Sequence, residues 1–208
     1  MINISFNRVL LYIEDSMENT YVFLDAGYLS KIVEHLYPKG YPKYDVKQFA
    51  NTLAKSKGLW CQKTFFYLGE SYQSPNHPSK EDIERRTNQK GFVNALLKIP
   101  NLTVRQGRCQ KDDKGEYHQK GVDTWLTMDL LSLENCKDNI KKIIVLICDT
   151  DFVPILEKLR NEKKVFIIIA YYSDFIRHSD FSMSNHLWNV ADDKILIDKS
   201  FFEKSLRR

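Results

Sequence analysis

Two apolar runs that each end in an acidic residue restrict the fold of this chain more than any other feature. Tyr21-Val22-Phe23-Leu24 leads into Asp25, and Ile143-Ile144-Val145-Leu146-Ile147-Cys148 leads into Asp149-Thr150-Asp151-Phe152. Runs of this length without polar alternation read as strands covered on both faces, the pattern of a parallel sheet. Further runs rich in β-branched and aromatic residues stand at 64–68, 102–104, 165–171 and 195–197. Helical patterns fill the intervals. Leu29-Ile32-Val33-Leu36 has 3,4 spacing, Asp45 is placed to cap a helix over 46–56, and 81–98 and 122–133 are long enough for several turns. A helix over 152–161 would follow Asp151, with Pro154 tolerated in its first turn. The alternation predicts an α/β fold, a mainly parallel central sheet flanked by helices. In such a sheet ligands gather outside the carboxyl ends of the strands, where Asp25 and Asp149 fall.

At 208 residues, 43% apolar and 28% charged, the chain has the composition of one globular domain with one sizeable core. No apolar stretch approaches the roughly 20 residues of a membrane span. The opening Met1-Ile2-Asn3-Ile4-Ser5 lacks a basic region followed by an apolar one, so the expectation is a cytoplasmic protein without membrane attachment. Cys61, Cys109, Cys136 and Cys148 form no C-x-x-C pair and have no histidine at zinc-finger spacing, which argues for reduced thiols. His35, His77, His118, His178 and His186 match no nucleophile or zinc signature. The main breaks are 71–79 and the polar stretch 109–119 with its Asp112-Asp113-Lys114-Gly115 turn, and neither resembles a linker. The expected division is an N-terminal extension (1–20), a single domain (21–198) and a C-terminal tail (199–208). In the extension, Phe6-Val9-Leu10-Ile13 suits either a helix packed on the domain or a partner-binding arm.

Charge is unevenly spread. Residues 77–120 hold ten Lys or Arg against six Asp or Glu, an excess equal to the +4 of the whole chain. That is the footprint of a surface for an anionic partner, although a solvated loop carries similar charge. Arg85, Arg86, Lys90, Arg105, Arg108 and Lys120 are the candidates to grip a phosphate backbone, and Phe92 and Tyr117 offer rings for stacking on bases.

The carboxylates have local as well as chemical readings. Asp25 precedes Ala26-Gly27, so it suits a turn in which it accepts backbone hydrogen bonds. Asp151 suits a helix N-cap, which leaves Asp149 as the better metal ligand of that pair. On 122–133 the 100° step puts Val122, Trp125, Leu126, Leu130 and Leu133 on one arc, with Asp129 inside it. A carboxylate there needs a metal, hydrogen bonds or a Lys or Arg partner. Asp123 lies at the edge of the arc in the first turn, where the helix dipole favours an acid in any case.

Taken in order, these elements resemble the NYN domain, a branch of the PIN-like nuclease superfamily. Tyr21-Val22-Phe23-Leu24-Asp25-Ala26-Gly27-Tyr28-Leu29 resembles the first-strand motif. Lys120-Gly121-Val122-Asp123 with Asp129-Leu130 resembles the central element, Asp149-Thr150-Asp151-Phe152 the third, and Ala191-Asp192 with the following strand the closing segment. Tyr28 stands where a common form has Asn, and Ile147-Cys148 replaces Ser-Gly, while every acidic position is retained.

The resemblance implies a Rossmann-like, PIN-like sandwich and a metal-dependent endoribonuclease. Asp25, Asp123 and Asp149 would hold Mg²⁺ or Mn²⁺, with Asp151 joining them in catalysis and Asp129, Thr127 and Tyr28 just behind. RNA, single-stranded or structured, would be the partner, and a homo-oligomer is compatible with this reading. Hard carboxylate oxygens suit Mg²⁺ or Mn²⁺, and phosphodiester hydrolysis needs an activated water and a stabilised leaving oxygen. Two rival readings are a catalytically silent nucleic-acid-binding or assembly module and a haloacid-dehalogenase-type phosphatase, whose D-x-D-x-[TV] pattern Asp149-Thr150-Asp151-Phe152-Val153 fits. The second leaves the Asp25 and Asp123 elements unexplained.

Overall fold

The computed structural model describes residues 17–40, 42–72, 78–112, 117–133, 138–173 and 183–207. The Phe6-Val9-Leu10-Ile13 pattern, Cys136, His77, His178 and most of the Asp112 to Gly115 turn lie outside them. Seven strands form one sheet: β1 (Glu18–Asp25), β2 (Leu59–Gly69), β3 (Leu102–Lys111), β4 (Tyr117–Lys120), β5 (Lys142–Leu146), β6 (Phe166–Tyr171) and β7 (Asp193–Leu196). Their order is β4-β3-β2-β1-β5-β6-β7, parallel throughout except for the antiparallel β3–β4 pair. Without β4, the six parallel strands follow the doubly wound order 3-2-1-4-5-6, which changes direction between β1 and β5. The sheet curls into a half-barrel and is therefore less flat than the expected sandwich.

Seven helices accompany it among the described residues: α1 (Ala26–Leu36), α2 (Val46–Ser56), α3 (Lys80–Leu96), α4 (Val122–Ser132), α5 (Val153–Lys163), α6 (Asn185–Val190) and α7 (Lys199–Glu203). Strand alternation sorts them into two layers. On β1, Val22 and Leu24 face α1 and α2, whereas Tyr21 and Phe23 face the layer containing α4 and α5. Phe23 stacks on Phe65 with ring centroids 4.7 Å apart, joining β1 to β2 beneath α4. Each such fully buried side chain contributes about 1.5–3 kcal/mol.

Asp45 caps α2 as its sequence suggests, accepting from the Gln48 amide at 2.9 Å. The tail residues 199–207 pack on the domain: Phe202 is fully buried and stacks on Phe49, and the Asp45 amide donates to the Ser205 carbonyl.

Two local readings are corrected. The stretch 109–119 is not simply a loop, because β3 continues to Lys111 and turns back as β4, with Arg108 opposite Lys120. Gln110, His118 and Gln119 are exposed at the sheet edge, and no apolar alternation marks a strand there. The second concerns Asp151. It does not cap the following helix, since Asp149 caps a short 3-10 turn (Thr150–Phe152) that precedes α5.

Candidate active site

The strand order changes direction between β1 and β5, and three chain segments bring aspartates to the carboxyl ends of these strands, the usual place for a ligand in such a sheet. Asp25 is the last residue of β1 and the N-cap of α1, its Oδ1 accepting from the Gly27 amide at 2.8 Å. A Cβ at position 27 would lie 3.2 Å from that oxygen, so glycine lets the cap close tightly. Asp149 follows β5, and its Oδ1 accepts from the Asp151 amide at 2.9 Å. Asp123 arrives from the β4–α4 turn. Gly121 adopts φ 87°, a left-handed conformation that favours glycine, and α4 starts immediately after it. Behind Gly121, a side chain at Gly107 would run into Val122 Cγ2 at 2.5 Å, so β3 and the start of α4 touch backbone to side chain.

These carboxylates feel one another. The Asp25 carboxyl is pushed above the usual range chiefly by burial; the Gly27 and Tyr28 amides oppose the shift and the Asp123 charge adds to it. Asp123 is also pushed up, by desolvation and then by Asp149 and Asp151. Cys148 stands among them, its thiol pushed up to about 11 by burial and by the charges of Asp25 and Asp149, so it remains protonated near neutrality. Among the described residues none of the four aspartates forms an ion pair with Lys or Arg. The charge of exposed Lys31 reaches both Asp25 and Cys148. Sequence reading missed Lys31, and its place on α1 shortly after Asp25 was the available signal.

No three His, Cys, Asp or Glu side chains among the described residues converge closely enough to enclose a metal directly. Asp25 and Asp149 each turn one oxygen into a local cap. The donor set nonetheless fits Mg²⁺ or Mn²⁺: hard oxygens, mutually repelling and unpaired by protein cations, around an ion that usually retains several waters.

The residues expected behind the site have other duties. Tyr28 is buried, and its hydroxyl accepts from the Tyr172 amide at 2.9 Å, tying the start of α1 to the end of β6; burial raises its pKa and keeps the proton on. Thr127 is half-buried on α4. Asp129 is 5% exposed and fully compensated. Arg105 Nε donates to Oδ2 at 3.0 Å, Arg105 Nη2 to Oδ1 at 2.8 Å, and the Tyr67 hydroxyl to Oδ2 at 3.0 Å. Of the alternatives open in the sequence, the arginine partner is the one found. Arg105, expected on the RNA, is thereby committed to Asp129.

The other basic residues fall into two groups. Arg108 and Lys120 are exposed and face each other across the β3–β4 hairpin, with Lys120 next to the Gly121 turn. Arg85, Arg86 and Lys90 lie on α3. Gln89 bonds the Gly69 carbonyl at 2.7 Å and the Ser71 amide at 2.6 Å, which holds this part of α3 at the carboxyl end of β2. Arg85 pairs with Asp82 within the helix. Phe92 is half-buried and packs edge-on against Phe66 at the margin of the core. The Tyr117 side chain lies outside the described set. A concavity of about 760 Å³ between Asp45, Leu96, Ile99, Lys204 and Arg207 includes none of Asp25, Asp123, Asp149 and Asp151.

A doubly wound sheet with aspartates from three segments at its change of direction defines the class: an α/β protein with an acidic cluster at the carboxyl end of its sheet. Within that class, the chain belongs to the NYN domain family, whose model matches residues 19–198. Members of this family are typically nucleases, generally act on RNA and generally use divalent metal ions. No curated protein matches the chain. Among solved structures it is similar to a protein of unknown function from Vibrio parahaemolyticus, with 15% identity, coverage of 93% of this chain and 98% of that one, and a TM-score of 0.52. That likeness concerns the fold alone. No helix among the described residues is long and apolar enough to cross a membrane.

Proposed function

We propose that the protein is a metal-dependent endoribonuclease that hydrolyses RNA phosphodiester bonds at the Asp25, Asp123, Asp149 and Asp151 cluster. The observation that carries this reading is the convergence of carboxylates from three distant segments, near enough to raise one another's pKa, at the carboxyl end of the sheet, with no Lys or Arg among the described residues bonded to any of them. Asp25, Asp123 and Asp149 would hold Mg²⁺ or Mn²⁺, which supplies an activated water and charge stabilisation at the leaving oxygen.

The chain's own residues prepare that chemistry. Gly27 and the Asp151 amide fix the Asp25 and Asp149 side chains, so little order remains to be imposed when phosphate arrives. Asp151, exposed beside Asp149, is placed to orient water or accept a proton. Lys31, Arg108 and Lys120 attract the RNA backbone, and Arg86 and Lys90 extend that path along α3. Protonated Cys148 adds no further negative charge where Ser-Gly is usual.

The test is incubation of purified protein, cleared of contaminating ribonuclease, with labelled single-stranded and structured RNA, with Mn²⁺, with Mg²⁺ or with chelator. Internal cleavage that depends on metal and is lost in Asp25→Asn supports the proposal. RNA binding without cleavage under every condition would favour the silent binding module instead.

A further inference from the structure

The concavity at Asp45 adjoins a second one. The first, of about 760 Å³, lies between the start of α2, the end of α3 and residues 204–207; the second, of about 420 Å³, continues along α2, and Gln48 and Lys204 line both. Three exposed cations stand along the groove so formed: Arg207 in the first concavity, Lys204 in both and Lys55 in the second. None of the three forms an ion pair among the described residues. Against them the lining holds one carboxylate, Asp45, whose Oδ1 is taken by the Gln48 amide. Uncompensated positive charge along a groove suits an anionic partner, and cations set in a row suit a chain of phosphates better than one compact anion.

The groups beside those cations narrow the partner further. The side-chain amides of Gln48 and Asn51 have no hydrogen-bond partner among the described residues, so their donors and acceptors are available to ribose and base edges. Leu206, 48% exposed, joins Leu96 and Ile99 as an apolar surface on which a base can lie. The groove is also preformed. The Asp45 amide donates to the Ser205 carbonyl at 2.8 Å, the Arg207 amide to the Lys43 carbonyl at 2.9 Å, and the buried Ser205 hydroxyl lies 3.2 Å from that of Thr52. Lys204 and Arg207 therefore project from backbone that is already fixed, which lowers the ordering cost of binding.

This groove is remote from Asp25. Leu96 and Ile99 lie just before β3, at the amino end of the sheet, and α2 ends where Lys57 bonds Asp193, the first residue of β7. The eight residues of β1 put roughly 26 Å between that end and the aspartates. We propose that the groove along α2 is a second binding site for single-stranded RNA, an exosite in which Lys55, Lys204 and Arg207 hold one segment of a long substrate while another segment lies at the aspartates. This rests on the nuclease reading of the aspartate cluster. Unpaired RNA is favoured, since only an unpaired base can turn from its own backbone into the concavity.

The test is binding of a fluorescent oligouridylate of ~30 nucleotides, long enough to reach both ends of the sheet, in chelator to prevent cleavage. It compares the parent with Lys55→Gln/Lys204→Gln/Arg207→Gln and with Lys141→Gln/Lys163→Gln/Lys164→Gln, which removes the same charge from exposed positions outside the groove. The groove variant should bind more weakly and flatten the salt dependence by ~2 in log–log slope, about 0.7 for each of three phosphate contacts, and the second variant should match the parent. Both should melt with the parent. If the Arg207 change lowers the melting temperature, Lys55→Gln/Lys204→Gln repeats the measurement with an expected slope change of ~1.4. Unchanged affinity and slope in the groove variants, or an equal loss in the variant outside the groove, overturns the proposal. If polyglutamate binds the parent and not the groove variant while oligouridylate binding is unaltered, the groove takes an acidic protein and the proposal is again overturned. Failure of the nuclease reading would look different: oligouridylate would still bind through the groove, and the parent would not cleave it when metal is added.

Discussion

Two sets of carboxylates occupy neighbouring parts of this sheet, one buried and the other half-buried at Asp25 and exposed at Asp123, Asp149 and Asp151, and the fold treats them in opposite ways. Under α4, Asp129 is given an arginine in bidentate geometry and a tyrosine hydroxyl. At the ends of β1 and β5, Asp25 and Asp149 receive backbone amides, and Asp123 feels the charges of its acidic neighbours, with no ion pair from any of the four aspartates to Lys or Arg among the described residues. Where the fold needs a buried charge for structure, it supplies the counter-charge from its own side chains. Where it withholds one, the carboxyl groups of Asp25 and Asp123 are harder to ionise, and a cation from solution is the favourable remedy.

The contrast breaks first if the unpaired set proves dispensable. Asp25→Asn and Asp149→Asn should each reduce metal-dependent RNA cleavage by at least ~100-fold, since even losses behind a metal site typically cost 10–100-fold. The double variant should be little worse than either single one, because both act on one centre, and initial cleavage rates measure this. The paired set should respond in stability instead. Arg105→Leu leaves Asp129 buried without its counter-charge and should cost about 2–4 kcal/mol in urea denaturation, below the full buried-pair loss because Arg105 is partly exposed. Adding Asp129→Leu should recover part of that loss, and full additivity would show that the two residues do not act as a pair.

A smaller effect sharpens the comparison through pH. A carboxyl whose folded pKa lies above its unfolded value binds more protons folded than unfolded, so stability falls as pH rises between those values and the penalty persists above them. Below the usual carboxylate range near 3.8 the penalty disappears. Metal-free Asp25→Asn should therefore melt a few degrees above the parent at neutral pH, with the gap closing toward pH 4. A gap independent of pH would point to packing. Smallest of all, Arg86→Gln/Lys90→Gln should leave cleavage chemistry intact and flatten the salt dependence of single-strand binding by ~1.4 in log–log slope, about 0.7 per lost phosphate contact. An unchanged slope would remove α3 from the RNA path.

The sequence displayed the unpaired set better than the paired one. Asp25 and Asp149 follow strands whose both faces are apolar, so their position at the carboxyl end of the sheet needed only the strand reading and the parallel topology. Asp129 was visible as an acid within an apolar arc, but its partner was not. Arg105 comes from a strand that belongs to the core at Leu102 and to an exposed hairpin beyond Gly107, and no spacing rule joins it to a helix after the next turn. The same limit displaced Trp125. Helical phase placed it on the inner arc, whereas the structure turns it to the edge, where Arg105 fills the space beneath it. Tyr28 was visible as a departure from a motif, but its bond to the end of β6 depends on strands distant in sequence.

Calorimetric titration of Mn²⁺ into the metal-free parent, Asp25→Asn and Asp129→Leu tests the central contrast most directly. The account predicts saturable binding to the parent, its loss in Asp25→Asn and its retention in folded Asp129→Leu, because only the unpaired carboxylates await a cation. Equal binding by the parent and Asp25→Asn, or no binding by the parent, would contradict it.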